Sequence, residues 1–157
     1  MNHPSRVRAV LVGGLIAGTL DILFAITYAA FNGLTPVKLL QTIASGLLGN
    51  AAFEGGLPTA ILGLAGHFGM SYLWAALFVA VASRLPQLVA KPTVAGPVFG
   101  ILVFFTMRLV ILPLSAFPFP IVFRPLSWGL DLLSHMFFFG LPIALAAAKA
   151  IAPARPR

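Results

Sequence analysis

The chain contains no cysteine. That excludes a disulfide framework, a thiolate nucleophile and any Cys-ligated metal. Charge is also scarce: 8% of the 157 residues are Asp, Glu, Lys or Arg, where soluble domains carry about a quarter. A soluble globular domain is therefore excluded. Acid is the scarcest of all, with Asp21, Glu54 and Asp131 the only three carboxylate side chains. The basic residues form no long run and no aromatic-interleaved patch. A net charge of +7 and a pI near 11.3 therefore do not make a nucleic-acid binder. No serine sits in an elbow or other catalytic motif, Ser71 and Ser134 included, so an enzyme is not the expectation.

What the chain does have is apolar length. It is 60% hydrophobic, with a mean hydropathy of +1.03. Four apolar stretches, about 9–31, 57–83, 93–114 and 126–151, are long enough to cross a bilayer core of about 30 Å at about 1.5 Å per residue. These boundaries predict an all-α membrane protein, a four-transmembrane-helix bundle forming one integral membrane domain over residues 1–157. Arg6 and Arg8 before the first stretch resemble a signal peptide. The run is too long for one, Asp21 interrupts it, and the chain beyond is equally apolar. It is read as a retained first span.

Between spans one and two, Thr35-Pro36 offers an N-cap and an N1 proline, and Gly49 a C-cap. This predicts a helix over about 35–49, too short and too polar to span, lying interfacially or re-entrant against the bundle. Residues 50–56 read as a loop. Residues 116–125, with Phe117-Pro118-Phe119-Pro120, read as an extended apolar loop at headgroup level. Pro142 is expected to kink span four.

Each span carries an ionisable residue: Asp21, His67, Arg108, and the pair Asp131/His135. Intramembrane charges face the bundle interior and pair there, so these five residues predict one polar cluster. Tyr28, Ser71 and Ser134 fall on the same helix faces as secondary members. Arg108 can pair with Asp21 or Asp131, and Asp21 is the favoured partner. One arginine against two aspartates leaves a net −1 with neutral histidines. Burial disfavours a lone charge, so the unmatched aspartate is expected to hold a proton, share one with a histidine, or meet a cation, and the cluster reads as a site that binds or moves protons, a cation or a small polar solute. The alternative is a buried ion pair that only orders the bundle. A third reading has His67 and His135 holding a b-type haem, or these two with Asp131 holding a metal. Neither a metal nor any other cofactor is the expectation.

Gly14/Gly18 and Gly96/Gly100 are GxxxG pairs, expected at close helix contacts, with the first meeting span three. The pairs also suggest two related hairpins, one and two against three and four, since spans two and four each carry a histidine. With both termini cytoplasmic, seven basic residues (Arg6, Arg8, Arg84, Lys91, Lys149, Arg155, Arg157) face inward and two (Lys38, Arg124) outward. The polar residues then lie in the outer half of the bilayer, roughly 8–15 Å deep, and the glycine pairs in the inner half. A bundle pinched inside and spread outside follows. The expected partners are the lipid bilayer and anionic lipids at the cytoplasmic face. Association with a second copy or a membrane partner is left open.

Gly14-Leu15-Ile16-Ala17-Gly18, Ala65-Gly66-His67, Gly96/Gly100, Met107, Pro113 and His135 resemble the YagU-type family of small bacterial inner-membrane proteins. The molecular function of that family is unknown. The resemblance covers most of the chain from span two onward. It implies a four-span protein of the bacterial cytoplasmic membrane and supplies no activity. The first loop is shorter than in that family and Asp21 has no obvious counterpart, which directs attention to His67 and His135.

Overall fold

A long apolar run in lipid can satisfy its backbone only by forming a helix or joining a closed barrel. In the computed structural model, which describes residues 3–151, four long helices form. They are α1 (His3–Phe31), α3 (Gly56–Ala82), α5 (Pro92–Leu114) and α6 (Pro125–Ile151). Each is long and apolar enough to cross a membrane. The molecule is an all-α, multi-pass membrane protein built as a four-helix bundle. Of the residues assigned to orientation, Arg155 and Arg157 lie outside the described residues.

The short helix α2 (Pro36–Leu48) is present, with the Thr35 side chain accepting from the Lys38 amide at 3.3 Å. Gly49 ends it at φ 58°, a conformation that side-chain-bearing residues rarely adopt. Its packing is inverted relative to a soluble helix. Gln41, Ala44 and Ser45 are buried, while Leu47 is 70% exposed. Gln41 donates to the Gly56 carbonyl at 3.0 Å and to Thr59 at 3.3 Å. In lipid the polar face must turn inward, and this helix does so against α3. Gly63 of α3 permits the approach: a Cβ there would collide with the Leu40 carbonyl. Residues 50–56 are not wholly a loop, since Gly49–Phe53 forms a 3-10 turn. The connection after α3 holds a short helix, α4 (Gln87–Ala90).

The same inversion governs the bundle. The buried residues include Ala9, Ala17, Ala75, Ala82, Ala144 and Ala147, while Leu15, Leu23, Leu73, Val98 and Leu102 point outward. Small residues inside bring backbones together, and large apolar ones meet lipid. Helix α1 packs on α3 and on the C-terminal half of α6, and α5 packs on α6. Between α3 and α5 the contact is aromatic, with Phe78 and Phe99 centroids 4.9 Å apart. Gly14 and Gly18 face Tyr72, Phe68 and Ser71 of α3, so the first glycine pair meets span two and not span three. Gly96 and Gly100 face Gly140, Leu141, His135 and Met136 of α6. Each glycine pair thus closes its own hairpin.

Pro142 shows its effect as a change of winding. His135–Gly140, just before it, is π-helical. Met107–Ile111, just before Pro113, is π-helical too. A proline removes an N–H and crowds the preceding turn, and a wider turn relieves both. The end of the bundle expected to spread is not left open. Loop 115–124 meets α2 and the 3-10 turn across it, through Ala116 N–H to the Gly46 carbonyl at 2.9 Å and Phe53 against Phe119 at 5.6 Å.

Candidate functional site

The π-helical segments place the chemistry. Arg108 lies in the first and His135 opens the second. Arg108 donates through Nε to Asp131 Oδ2 at 3.2 Å and through Nη2 to the same oxygen. Its partner is therefore Asp131 and not Asp21. The reason is packing: α5 abuts α6, while α1 packs on α3 and α6 and not on α5. The guanidinium sits 5.5 Å from the Phe104 ring centre and 5.1 Å from that of Trp128, a cation–π contact with each of two rings that themselves meet edge to face at 5.7 Å.

His135 bridges the two aspartates. Its Nδ1 lies 2.9 Å from the Asp131 carbonyl, 3.2 Å from Asp131 Oδ1 and 4.0 Å from Asp21 Oδ1. All three are acceptors, so Nδ1 carries the hydrogen. Nε2 makes no hydrogen bond among the described residues. Asp21 in turn accepts from Ser134 Oγ at 2.9 Å. The side chains of Asp21 and His135 are 14% and 16% exposed, more enclosed than Arg108 and Asp131 at 25% and 29%. The result is a row, Ser134, Asp21, His135, Asp131 and Arg108, hydrogen-bonded or ion-paired throughout except for the 4.0 Å step between Asp21 and His135.

His67 is not in that row. Its Nε2 lies 2.9 Å from the Gly18 carbonyl, so it links α3 to α1. Ser71 does the same one turn on, donating to the Gly14 carbonyl at 2.6 Å. Both residues thus serve the first hairpin, beside its glycine pair. Tyr28 stacks on Phe24 at 6.1 Å and makes no described contact with the cluster. The two histidine rings serve different partners, His67 the Gly18 carbonyl and His135 Asp131. Among the described residues, no group of three His, Asp or Glu side chains is arranged to hold a metal ion.

Sequence reasoning missed the rings around Arg108. The signal was present: Phe104 is four residues before Arg108 and Trp128 three before Asp131, hence on the same helix faces. It also missed a cavity of about 390 Å³ beside Arg108, between the ends of α5 and α6 and loop 115–124. No local pattern announces that cavity, because the loop forms its roof only after folding back.

Compared with protein-family models, curated proteins and solved structures, the chain matches none.

Proposed function

We propose that this chain is a multi-pass protein of the bacterial inner membrane, with cytoplasmic termini, that binds and passes a proton at the Asp21–His135–Asp131–Arg108 row. The observation that carries the reading is His135 between two carboxylates, only one of which has an arginine. With His135 neutral the row carries −1. A proton on its free Nε2 brings the row to zero. Two states that differ by one proton, one of them neutral, are what a proton relay in low dielectric requires. The likeness to the YagU-type family belongs to this reading. Two residues that carry the likeness, Gly100 and His135, meet in the fold.

The test is proton flux. In vesicles loaded with a pH-sensitive dye and given a potassium-diffusion potential, the wild-type protein should move protons faster than protein-free vesicles. Asp21→Asn and His135→Gln should return the rate to that background. Wild-type flux equal to background would remove the proton reading. A second reading is favoured by the aromatic packing of Arg108: the ion pair simply locks α5 to α6. That reading predicts no flux, with a loss of stability on mutation.

The orientation has its own test. Asn32 and Glu54 lie at the end that holds α2, and Gln87 at the other. The chain has no cysteine of its own, so single cysteines report cleanly. Cysteines at Asn32 and Glu54 should label from outside the cell with an impermeant maleimide, and one at Gln87 should not. Labelling of Gln87 alone would reverse the topology.

A further inference from the structure

The cavity beside Arg108 has a lining unlike the rest of the molecule. Two guanidinium groups, Arg108 and Arg124, share it with Ser127, Trp128, Phe117 and Phe119, and no carboxylate lines it. Arg124 makes no ion pair among the described residues. Asp131 engages Nε and Nη2 of Arg108 and leaves Nη1 without a described partner. Two guanidinium charges against one aspartate leave a surplus of +1 at this place. The volume, about 390 Å³, falls in the range of small-ligand sites, about 300–1,000 Å³. Val122, which also lines the cavity, and its neighbours Phe123 and Leu126 are exposed apolar residues. They lie at the end of two membrane-crossing helices, the level at which lipid phosphates sit.

We propose that this cavity binds the phosphodiester headgroup of an anionic phospholipid, with the phosphate between Arg108 and Arg124 and the acyl body along Val122, Phe123 and Leu126. The surplus of one positive charge matches a monoanion. A planar guanidinium offers paired donors to phosphate oxygens. The aromatic lining accepts the glycerol and the first methylenes. The proposal needs the membrane placement of the helices and not the proton chemistry, and its test involves no proton gradient.

Trp128 lines the cavity, and the chain has two tryptophans. Trp74→Phe therefore leaves Trp128 as the sole reporter. Protein in dodecyl maltoside is titrated with dihexanoyl phosphatidylglycerol, dihexanoyl phosphatidylcholine and dimethyl phosphate, following Trp128 emission. Phosphatidylglycerol should saturate the signal at a concentration about tenfold below phosphatidylcholine, as one unneutralised charge contact is worth about that factor. Arg124→Gln should erase the preference and Arg124→Lys should keep part of it. Arg124 is exposed, so both variants should melt as the parent does. Equal titration by the two lipids, or an unchanged preference in Arg124→Gln, overturns the site. Dimethyl phosphate binding as tightly as phosphatidylglycerol overturns the lipid and identifies a free phosphodiester as the ligand. Should Arg124→Gln fail to fold, the parent's preference must still collapse at about 1 M salt, where screening is nearly complete. A preference that survives such salt overturns the electrostatic basis.

Discussion

Replacing Gly100 by leucine should prevent the α5–α6 hairpin from forming. A Cβ on Gly100 would lie 2.5 Å from the His135 carbonyl carbon and 2.6 Å from Met136 Cα. Both are backbone atoms, so nothing local can rotate away. The contact is reciprocal, since a Cβ on Gly140 would lie 2.7 Å from the Gly100 nitrogen. Overpacking a well-formed interior costs about 1–3 kcal/mol and occasionally more, and a backbone-to-backbone stop belongs at the upper end. It also falls beside His135, so the row of ionisable groups would be displaced with it. Gly18 provides the contrast. A Cβ there meets the Phe68 ring at 2.9 Å and Ser71 Oγ at 3.1 Å, and both are side-chain atoms that can shift. Gly18→Ala should therefore lower the melting temperature in detergent only slightly, and Gly100→Leu should leave no cooperative melt. Equal melting of Gly100→Leu and wild type would show that these helices do not approach as described.

Breaking the Arg108–Asp131 pair should be the costliest single polar change. Arg108→Leu leaves Asp131 enclosed with only His135 to meet it. Asp131→Leu leaves a guanidinium beside two aromatic rings with no counterion. Removing one partner of a buried pair costs about 3–5 kcal/mol, whereas removing both is often tolerated. The side chains are 25% and 29% exposed, so each single variant should lose stability toward the lower end of that range, and the double variant should recover most of it. The same cycle between Arg108 and Asp21 should be close to additive, because no hydrogen bond or ion pair joins them. Denaturant or thermal unfolding in a fixed detergent gives the coupling energies directly. Coupling to Asp21 in place of Asp131 would refute the pairing. A double variant that regains stability but not proton flux would show that the pair works and does not merely hold.

The chain's composition by itself determined the class of molecule. Four apolar runs without enough charge for a water-exposed surface leave a helical membrane bundle as the solution, because unpaired backbone polar groups are not tolerated in lipid. Local chemistry also set α2, whose Thr35 cap, Pro36 and Gly49 act over neighbouring residues. The glycine pairs were legible as contact points, since a missing side chain is a property of the residue alone. Which helix each pair meets was not legible. Asp21 and Gly18 lie nearly on one face of α1, yet Gly18 packs on α3 while Asp21 reaches Ser134 and His135 of α6. A helix wheel gives directions around one axis and not the order of the axes around one another. That order decided that Arg108 meets Asp131, that His67 bonds a backbone carbonyl away from the cluster, and that Arg124 shares a cavity with Arg108. The two π-helical segments complete the reason. Proline predicts a disturbance, but the surrounding packing decides whether the helix bends or widens, and here the widening holds Arg108 and His135.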